Sequence, residues 1–244
     1  MKLNLFRHAT MLLTLGERKI LLDPMLALAE TMPPVENSPL PRANPLVEFP
    51  KRAMLDEAEA ILITHCHRDH FDQAAIDELP KTLPVFCQPE DERRLLESGF
   101  SQVTPLFDEV QWNGIRLSRT GGRHGYGATA NAMGPVSGYV LEAQGEAKLY
   151  ITGDTVWCQE VEAALLKHKP EIIIAYCGGA RFLNDKPITM DENDIRVLLK
   201  ASKADVVAVH MEAFNHCLLT RQALRSLIPD ARLKIPLDGE ELIF

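Results

Sequence analysis

Ala60-Ile61-Leu62-Ile63 followed by Thr64-His65-Cys66-His67-Arg68-Asp69-His70-Phe71-Asp72 decides how the rest of the chain is read. The apolar run has the length and composition of a buried strand. Asp72 then precedes Gln73-Ala74-Ala75-Ile76-Asp77-Glu78-Leu79, a short amphipathic helix that Pro80 ends. Four potential metal ligands, His65, His67, Asp69 and His70, therefore sit on a strand-to-helix loop with regular structure on both sides. In an extended segment side chains two apart point the same way, so His65 and His67 can grip one ion together. Asp69 and His70 follow a turn and are better placed for a second. The same alternation turns Cys66 away from its neighbours, so it is not a ligand. A single zinc ion is saturated by fewer ligands than the whole chain supplies. The local reading is a two-metal site.

With 244 residues, 46% apolar and 25% charged, the sequence suits one large globular domain spanning residues 1–244. No apolar run approaches the ~18 residues that cross a bilayer, so no membrane span is expected. Arg7 and His8 interrupt any signal-like stretch. The five cysteines (Cys66, Cys87, Cys158, Cys177, Cys217) are odd in number, scattered and without CxxC spacing. That pattern points to reduced thiols and a cytoplasmic location. A net charge of −8 argues against a broad nucleic-acid surface, so no nucleic-acid partner is expected. It still admits a small anionic substrate, because bound cations invert the local field.

Along the chain, Leu3 to Leu22 reads as an opening pair of strands, with Gly16-Glu17-Arg18 as the turn. Residues 32–50 hold six prolines, too many for a helix interior or a central strand. Met32, Val35, Leu40, Leu46, Val47 and Phe49 make that segment more apolar than a linker usually is. A stiff loop packed over the domain, with a lid role open to it, is favoured over a plain linker. Further strands are expected at Pro84 to Cys87, Gly114 to Arg119, Glu171 to Tyr176 and Asp205 to Val209, with a hairpin from Tyr139 to Ile151. Helices are expected at Pro89 to Glu97, Cys158 to Lys167, after a capping box at Thr189-Met190-Asp191-Glu192, and at Arg221 to Leu227 behind Thr220. Hairpins followed by strand–helix alternation give an α/β (α+β) fold with packed sheets inside and helices outside.

Three later residues are ambiguous one by one. His124, in Gly121-Gly122-Arg123-His124-Gly125-Tyr126-Gly127, is on its own a loop histidine. Asp154, in Thr152-Gly153-Asp154-Thr155, is on its own more often a helix cap than a ligand. His210, ending the strand from Asp205, is on its own a core histidine. What raises them is recurrence: each sits where a strand delivers its C-terminal end, and those ends line the crevice of α/β sheets.

The order HxHxDH, then His, then Asp, then His resembles the metallo-β-lactamase-fold superfamily of metallohydrolases over nearly the whole chain. Within it the sequence is most similar to the branch of ascorbate-6-phosphate lactonase and N-acyl-phosphatidylethanolamine phospholipase D. It shares the early His8-Ala9-Thr10, Leu22-Asp23-Pro24 and Thr152-Gly153-Asp154-Thr155, and departs at Arg7, where those relatives usually carry glycine. The resemblance implies a four-layer αββα sandwich of two mixed sheets. It implies one metal on His65, His67 and His124, a second on Asp69, His70 and His210, and Asp154 bridging them. Imidazoles and carboxylates suit Zn2+, with Mn2+ or Fe2+ as alternatives. Two such cations yield hydroxide as nucleophile and polarise the scissile group. Asp69 and Asp154 are the catalytic carboxylates, Asp69 orienting the hydroxide and shuttling its proton.

Around that set, Asp23 is expected to orient a ligand by hydrogen bonding. His8 is either substrate-facing or a general acid, or else a packed structural histidine. His216 is a pocket residue or part of a surface loop, and Arg123, Tyr126 and Arg181 are candidate anion contacts. The expected activity is metal-dependent hydrolysis of a small ester, lactone or phosphodiester. The alternatives are a nuclease, which the acidic balance disfavours, and a binding module stabilised by metal, for which seven ligands are too many. An oxygen or nitric-oxide reductase usually has glutamate where His67 stands. Superfamily relatives often assemble, so the resemblance admits a homo-oligomer.

Overall fold

The computed structural model describes residues 1–50 and 52–244. Strands β1 (Lys2–Arg7), β2 (Thr10–Leu15), β3 (Arg18–Leu22), β4 (Ala60–Leu62), β5 (Val85–Cys87) and β6 (Val103–Pro105) form one sheet with β14 (Glu241–Ile243). The second holds β7 (Glu109–Trp112), β8 (Ile115–Thr120), β9 (Gly138–Ala143), β10 (Leu149–Ile151), β11 (Ile172–Tyr176), β12 (Asp205–Val209) and β13 (Leu233–Lys234). The two sheets share one pattern. In the order β14-β1-β2-β3-β4-β5-β6 the pairings are antiparallel as far as β3 and parallel after it. In the order β7-β8-β9-β10-β11-β12-β13 the change comes at β10.

Alternation along the strands sorts the core into layers. Leu5, Leu13, Ile20 and Leu62 of the first sheet meet Leu117, Leu141, Ile151 and Ile174 of the second in the central layer. The opposite faces, with Leu12, Leu21 and Ile61 on one sheet and Val140, Ile173 and Val206 on the other, pack under helices. Helices α1 (Gln73–Glu78) and α2 (Glu92–Glu97) cover the first sheet. Helices α4 (Gln159–His168), α5 (Glu192–Ala201) and α6 (Arg221–Leu227) cover the second. This is the expected αββα sandwich. No helix among the described residues is long and apolar enough to cross a membrane. All five cysteines are free and buried.

Several local expectations need correction. The opening pair is a set of three strands. Residues 3–7 of β1 are buried throughout, so no alternation marked them as a strand. The capping box at Thr189 does not form. Asp191 caps α5, accepting from the backbone N–H of Asn193 and Asp194 at 2.9 and 3.1 Å, while the Thr189 hydroxyl accepts from Ala180 N–H. The helix expected at Pro89 to Glu97 opens as a 3-10 turn, Pro89–Asp91, before α2. The short helix α3 (Gly127–Met133) and the edge strands β6, β7, β13 and β14 were not read from the sequence.

Candidate metal centre

The parallel strands β3, β4, β10, β11 and β12 deliver their C-terminal ends to one edge of the sandwich, and the chain leaves each strand by a sharp turn. After β4, His65 and His67 are presented two apart, with His65 Nε2 2.9 Å from His67 Nδ1. His70 and Phe71 N–H then both donate to His67 C=O, and this turn swings Asp69 and His70 round to the other side. Asp72 fixes the exit: its Oδ1 caps α1 through Ala75 N–H and its Oδ2 accepts from Ala27 N–H, each at 2.8 Å. Asp154 follows β10 on Gly153, whose φ of +66° and contact with the Ser137 carbonyl leave no room for a Cβ.

Among the site residues, His8 (φ 58°), Asp23 (φ 42°) and His210 (φ 63°) take the left-handed conformation with full side chains. Each immediately follows a strand, and each costs roughly 1–3 kcal/mol of local strain that the surrounding packing sustains. His and Asp are among the non-glycine types that adopt this conformation most readily, but the type alone does not say which of them will.

The side chains converge in two groups. His65, His67 and His124 bring one ring nitrogen each into mutual reach, and so do His8, Asp69, His70 and His210 with one nitrogen or oxygen each. Asp154 lies between. Its Oδ2 is 3.3 Å from His70 Nε2 and 3.5 Å from His124 Nε2, and its Oδ1 is 3.2 Å from His210 Nε2. His210 Nε2 is also 3.2 Å from His70 Nε2. Among these residues only His67 is more than marginally open to solvent.

A second ring of contacts orients the imidazoles from behind. Asp23 Oδ2 lies 2.8 Å from His70 Nδ1 and accepts from Tyr176 OH and Thr64 Oγ1, while its Oδ1 accepts from Thr64 N–H. His124 Nδ1 is 2.8 Å from Ile188 C=O, which turns Nε2 inward. Cys217 Sγ lies 3.6 Å from His210 Nδ1 with the same effect.

The electrostatics show what this cluster lacks. Burial raises the pKa of Asp154, but His210, His70 and His124 outweigh it and hold the carboxyl well below its ordinary range. Burial acts the same way on Asp69, and His70 and His210 reverse it. In return, burial opposes the imidazolium forms of His70 and His210, yet Asp154 leads the groups that push both up, His210 to about 10. Burial holds His65 well down and lowers His124 to about 4. The buried carboxylates demand positive charge, and in the chain alone the His70 and His210 imidazoles are the groups they push towards it.

A cavity of about 220 Å³ opens over the cluster, lined by Val35, Glu36, His67, Arg68, Asp69, His124, Met133, Phe182 and His216. Of the expected substrate contacts, His216 is in this lining. Arg123, Tyr126 and Arg181 are not. The Arg123 guanidinium instead stacks on Tyr126, which also faces Lys186, and Arg181 Nε turns to Gly179 C=O. His8 is fully buried beneath the cluster, 3.4 Å from Asp69. The roof is the proline-rich segment, held by Asn215. The Asn215 amide bonds Val35 N–H and C=O, Asn44 Nδ2, Ser38 Oγ and Leu40 C=O, and its N–H donates to Asn44 Oδ1. The ends of the segment are tied by Arg7, whose guanidinium donates to Met25, Ala27 and Val47 C=O. Neither Asn215 nor Arg7 was expected to take part, because their partners lie far away in the chain.

The model of the family described as the beta-lactamase superfamily domain matches residues 18–211. The chain belongs to this superfamily. This beta-lactamase superfamily member is 36% identical to the UPF0173 protein YddR of Bacillus subtilis, over 256 aligned positions covering 100% of both chains. A crystal structure described as a possible metal-dependent hydrolase from Veillonella parvula superposes with a TM-score of 0.96. It is 34% identical and covers 99% of this chain and 98% of its own. An isothiocyanate hydrolase from Delia radicum gut bacteria is also 34% identical, with a TM-score of 0.94 and coverage of 100% and 99%.

Proposed function

We propose that this superfamily member is a metal-dependent hydrolase that holds two divalent cations, one on His65, His67 and His124 and one on Asp69, His70 and His210, with Asp154 shared. The observation that carries the reading is the place of Asp154, whose two oxygens lie 3.2–3.5 Å from ring nitrogens of both groups. The residues fit such ions. Imidazole nitrogens face one another at 2.9 and 3.2 Å, and the buried Asp154 Oδ1 has no well-directed donor. Cations accept those lone pairs and replace the two protons that the carboxylates otherwise hold on His70 and His210. Zinc suits the donor set best.

When bound, such a pair supplies a water acidified towards neutrality and polarises the electrophile. The chain's own residues do the rest. Asp69 reaches the cavity and is the group placed to orient that water and take its proton. His216, also in the lining, faces the substrate. Val35, Met133 and Phe182 give the cavity an apolar wall, while Arg68 and Glu36 offset each other in charge.

The cavity's size and balance support a small, uncharged carbon electrophile: an ester, a lactone or an isothiocyanate, the last suggested by the similar hydrolase from Delia radicum gut bacteria. A phosphodiester suits the lining less well, since Arg68 is its one cationic side chain. A substrate panel tests this. Zinc-loaded protein should turn over benzyl isothiocyanate, aryl esters or lactones, lose that activity to a chelator and regain it with zinc. Turnover of bis-p-nitrophenyl phosphate alone would overturn the substrate assignment.

A further inference from the structure

We propose that Nε2 of His8 is a further protein donor to the seat of Asp69, His70 and His210, which closes that seat and makes the two unequal. The inference rests on the two-cation reading above and deepens it.

His8 is fully buried, yet it takes no part in the apolar core of β1, and its Nε2 is 3.4 Å from Asp69 Oδ2. That nitrogen lies within common reach of donor atoms from Asp69, His70 and His210. Nδ1 has no partner, so Nε2 is the ring's one polar outlet, and it is aimed at the seat. The ring is held there from several sides. It packs tilted against His210 with centroids 3.7 Å apart and stacks on Phe214 at 5.2 Å, and His210 N–H donates to His8 C=O at 2.9 Å. A φ of 58° makes this a position where glycine is the unstrained residue. The packing around the ring holds the imidazole in this strained position, with Nε2 directed at Asp69.

The cavity shows the consequence. His67 and His124 of the three-imidazole seat are in its lining; of the other seat only Asp69 reaches it, and His8, His70 and His210 are 0% exposed. The seat of His65, His67 and His124 therefore faces the substrate, with three imidazoles and a share of Asp154. The other seat lies behind it, with four donors of its own besides that share. An open seat exchanges ligands and a closed one does not. The cation near His67 is the exchangeable, substrate-facing one, and the cation near His8 is resident.

Cadmium-113 bound to the 15N-histidine-labelled full chain tests this without reference to activity. The expected result is two cadmium resonances, with the His8 Nε2 signal split by one-bond coupling to one of them. The split signal is assigned by its loss in His8→Gly, a variant the left-handed backbone favours, or in His8→Gln if the glycine variant does not fold. A chelator should remove one equivalent quickly and the second slowly from the wild type. In the variant the slow phase should be at least ~10-fold faster, the scale of an altered ligand environment. Two cadmium resonances with an unsplit His8 signal would overturn the proposal and leave His8 as a hydrogen-bond partner of Asp69. Fewer than two resonances would overturn the two-cation reading itself.

Discussion

The floor and the roof of the cavity are built by different means. The floor is made of strand ends: His65 follows β4 of the first sheet, Asp154 and His210 follow β10 and β12 of the second, and the face-to-face packing of the two sheets brings them together. The roof is residues 24–50, which contain no strand longer than the single Met32–Asn44 bridge. It is held in place by two buried side chains, Arg7 at its ends and Asn215 in its middle. The floor carries the convergent His and Asp side chains. The roof supplies Val35 and Glu36 to the lining and so has the freedom to set which substrate fits.

The largest effect is expected on the floor. Asp154→Ala removes the one carboxylate placed between both clusters, so metal content should fall to one equivalent or less and turnover by at least ~10³-fold. Elemental analysis and steady-state kinetics check this; two retained equivalents would remove Asp154 from the shared position. The circular dichroism spectrum should stay native, because the strands that position Asp154 do not depend on it.

Next comes the anchoring of the roof. Arg7→Met leaves the Met25, Ala27 and Val47 carbonyls without their guanidinium donor, and urea denaturation should show a loss of about 3–5 kcal/mol in all, from three lost charge-assisted bonds. An unchanged midpoint would mean that the roof is held by its apolar contacts instead. Asn215→Ala acts in the middle of the roof and is milder, at roughly 1–3 kcal/mol for the lost amide bonds. It should raise KM on the order of tenfold with metal content unchanged and kcat little affected, as expected when positioning rather than chemistry is lost. A drop in kcat at constant KM would contradict the division between floor and roof.

This contrast also explains how much could be read in the sequence. Buried parallel strands appear as apolar runs, and a run that ends in His or Asp advertises a residue at the crevice. That is why His65, Asp154 and His210 were legible, and with them the layered fold. His8 and Asp23 carried weaker signals: both take left-handed backbone that residue type permits but does not locate, and both were noticed only through their motifs. The roof was legible as a proline-dense, apolar loop and no further. Its geometry depends on Asn215 some 171 residues beyond Asn44, and such long-range hydrogen bonds leave no local pattern. Arg123, Tyr126 and Arg181 lie outside the cavity lining, with the Arg123 guanidinium over the Tyr126 ring and Arg181 Nε on Gly179 C=O, contacts that no local pattern announces.

The smallest effect is on the pH dependence of the metal-free protein. His210, raised to about 10, contributes stability that is present below pH ~6.5 and is lost as pH rises towards 10. His124 and His216, both lowered to about 4 chiefly by burial, act oppositely and cost stability as pH falls from ~6.5 towards 4. Metal-free protein should therefore be most stable near pH 6–7, and zinc should flatten the alkaline limb by replacing the protons on His70 and His210. Melting temperatures across pH 5–10, with and without zinc, check this; an alkaline limb unchanged by zinc would place the ions elsewhere.

The central claim is that the floor holds a pair of cations about Asp154. Native mass spectrometry of the purified chain, reconstituted with zinc, measures that directly. The expected mass is that of the polypeptide plus two zinc ions. A species that saturates at one zinc, or takes up none, would contradict the account.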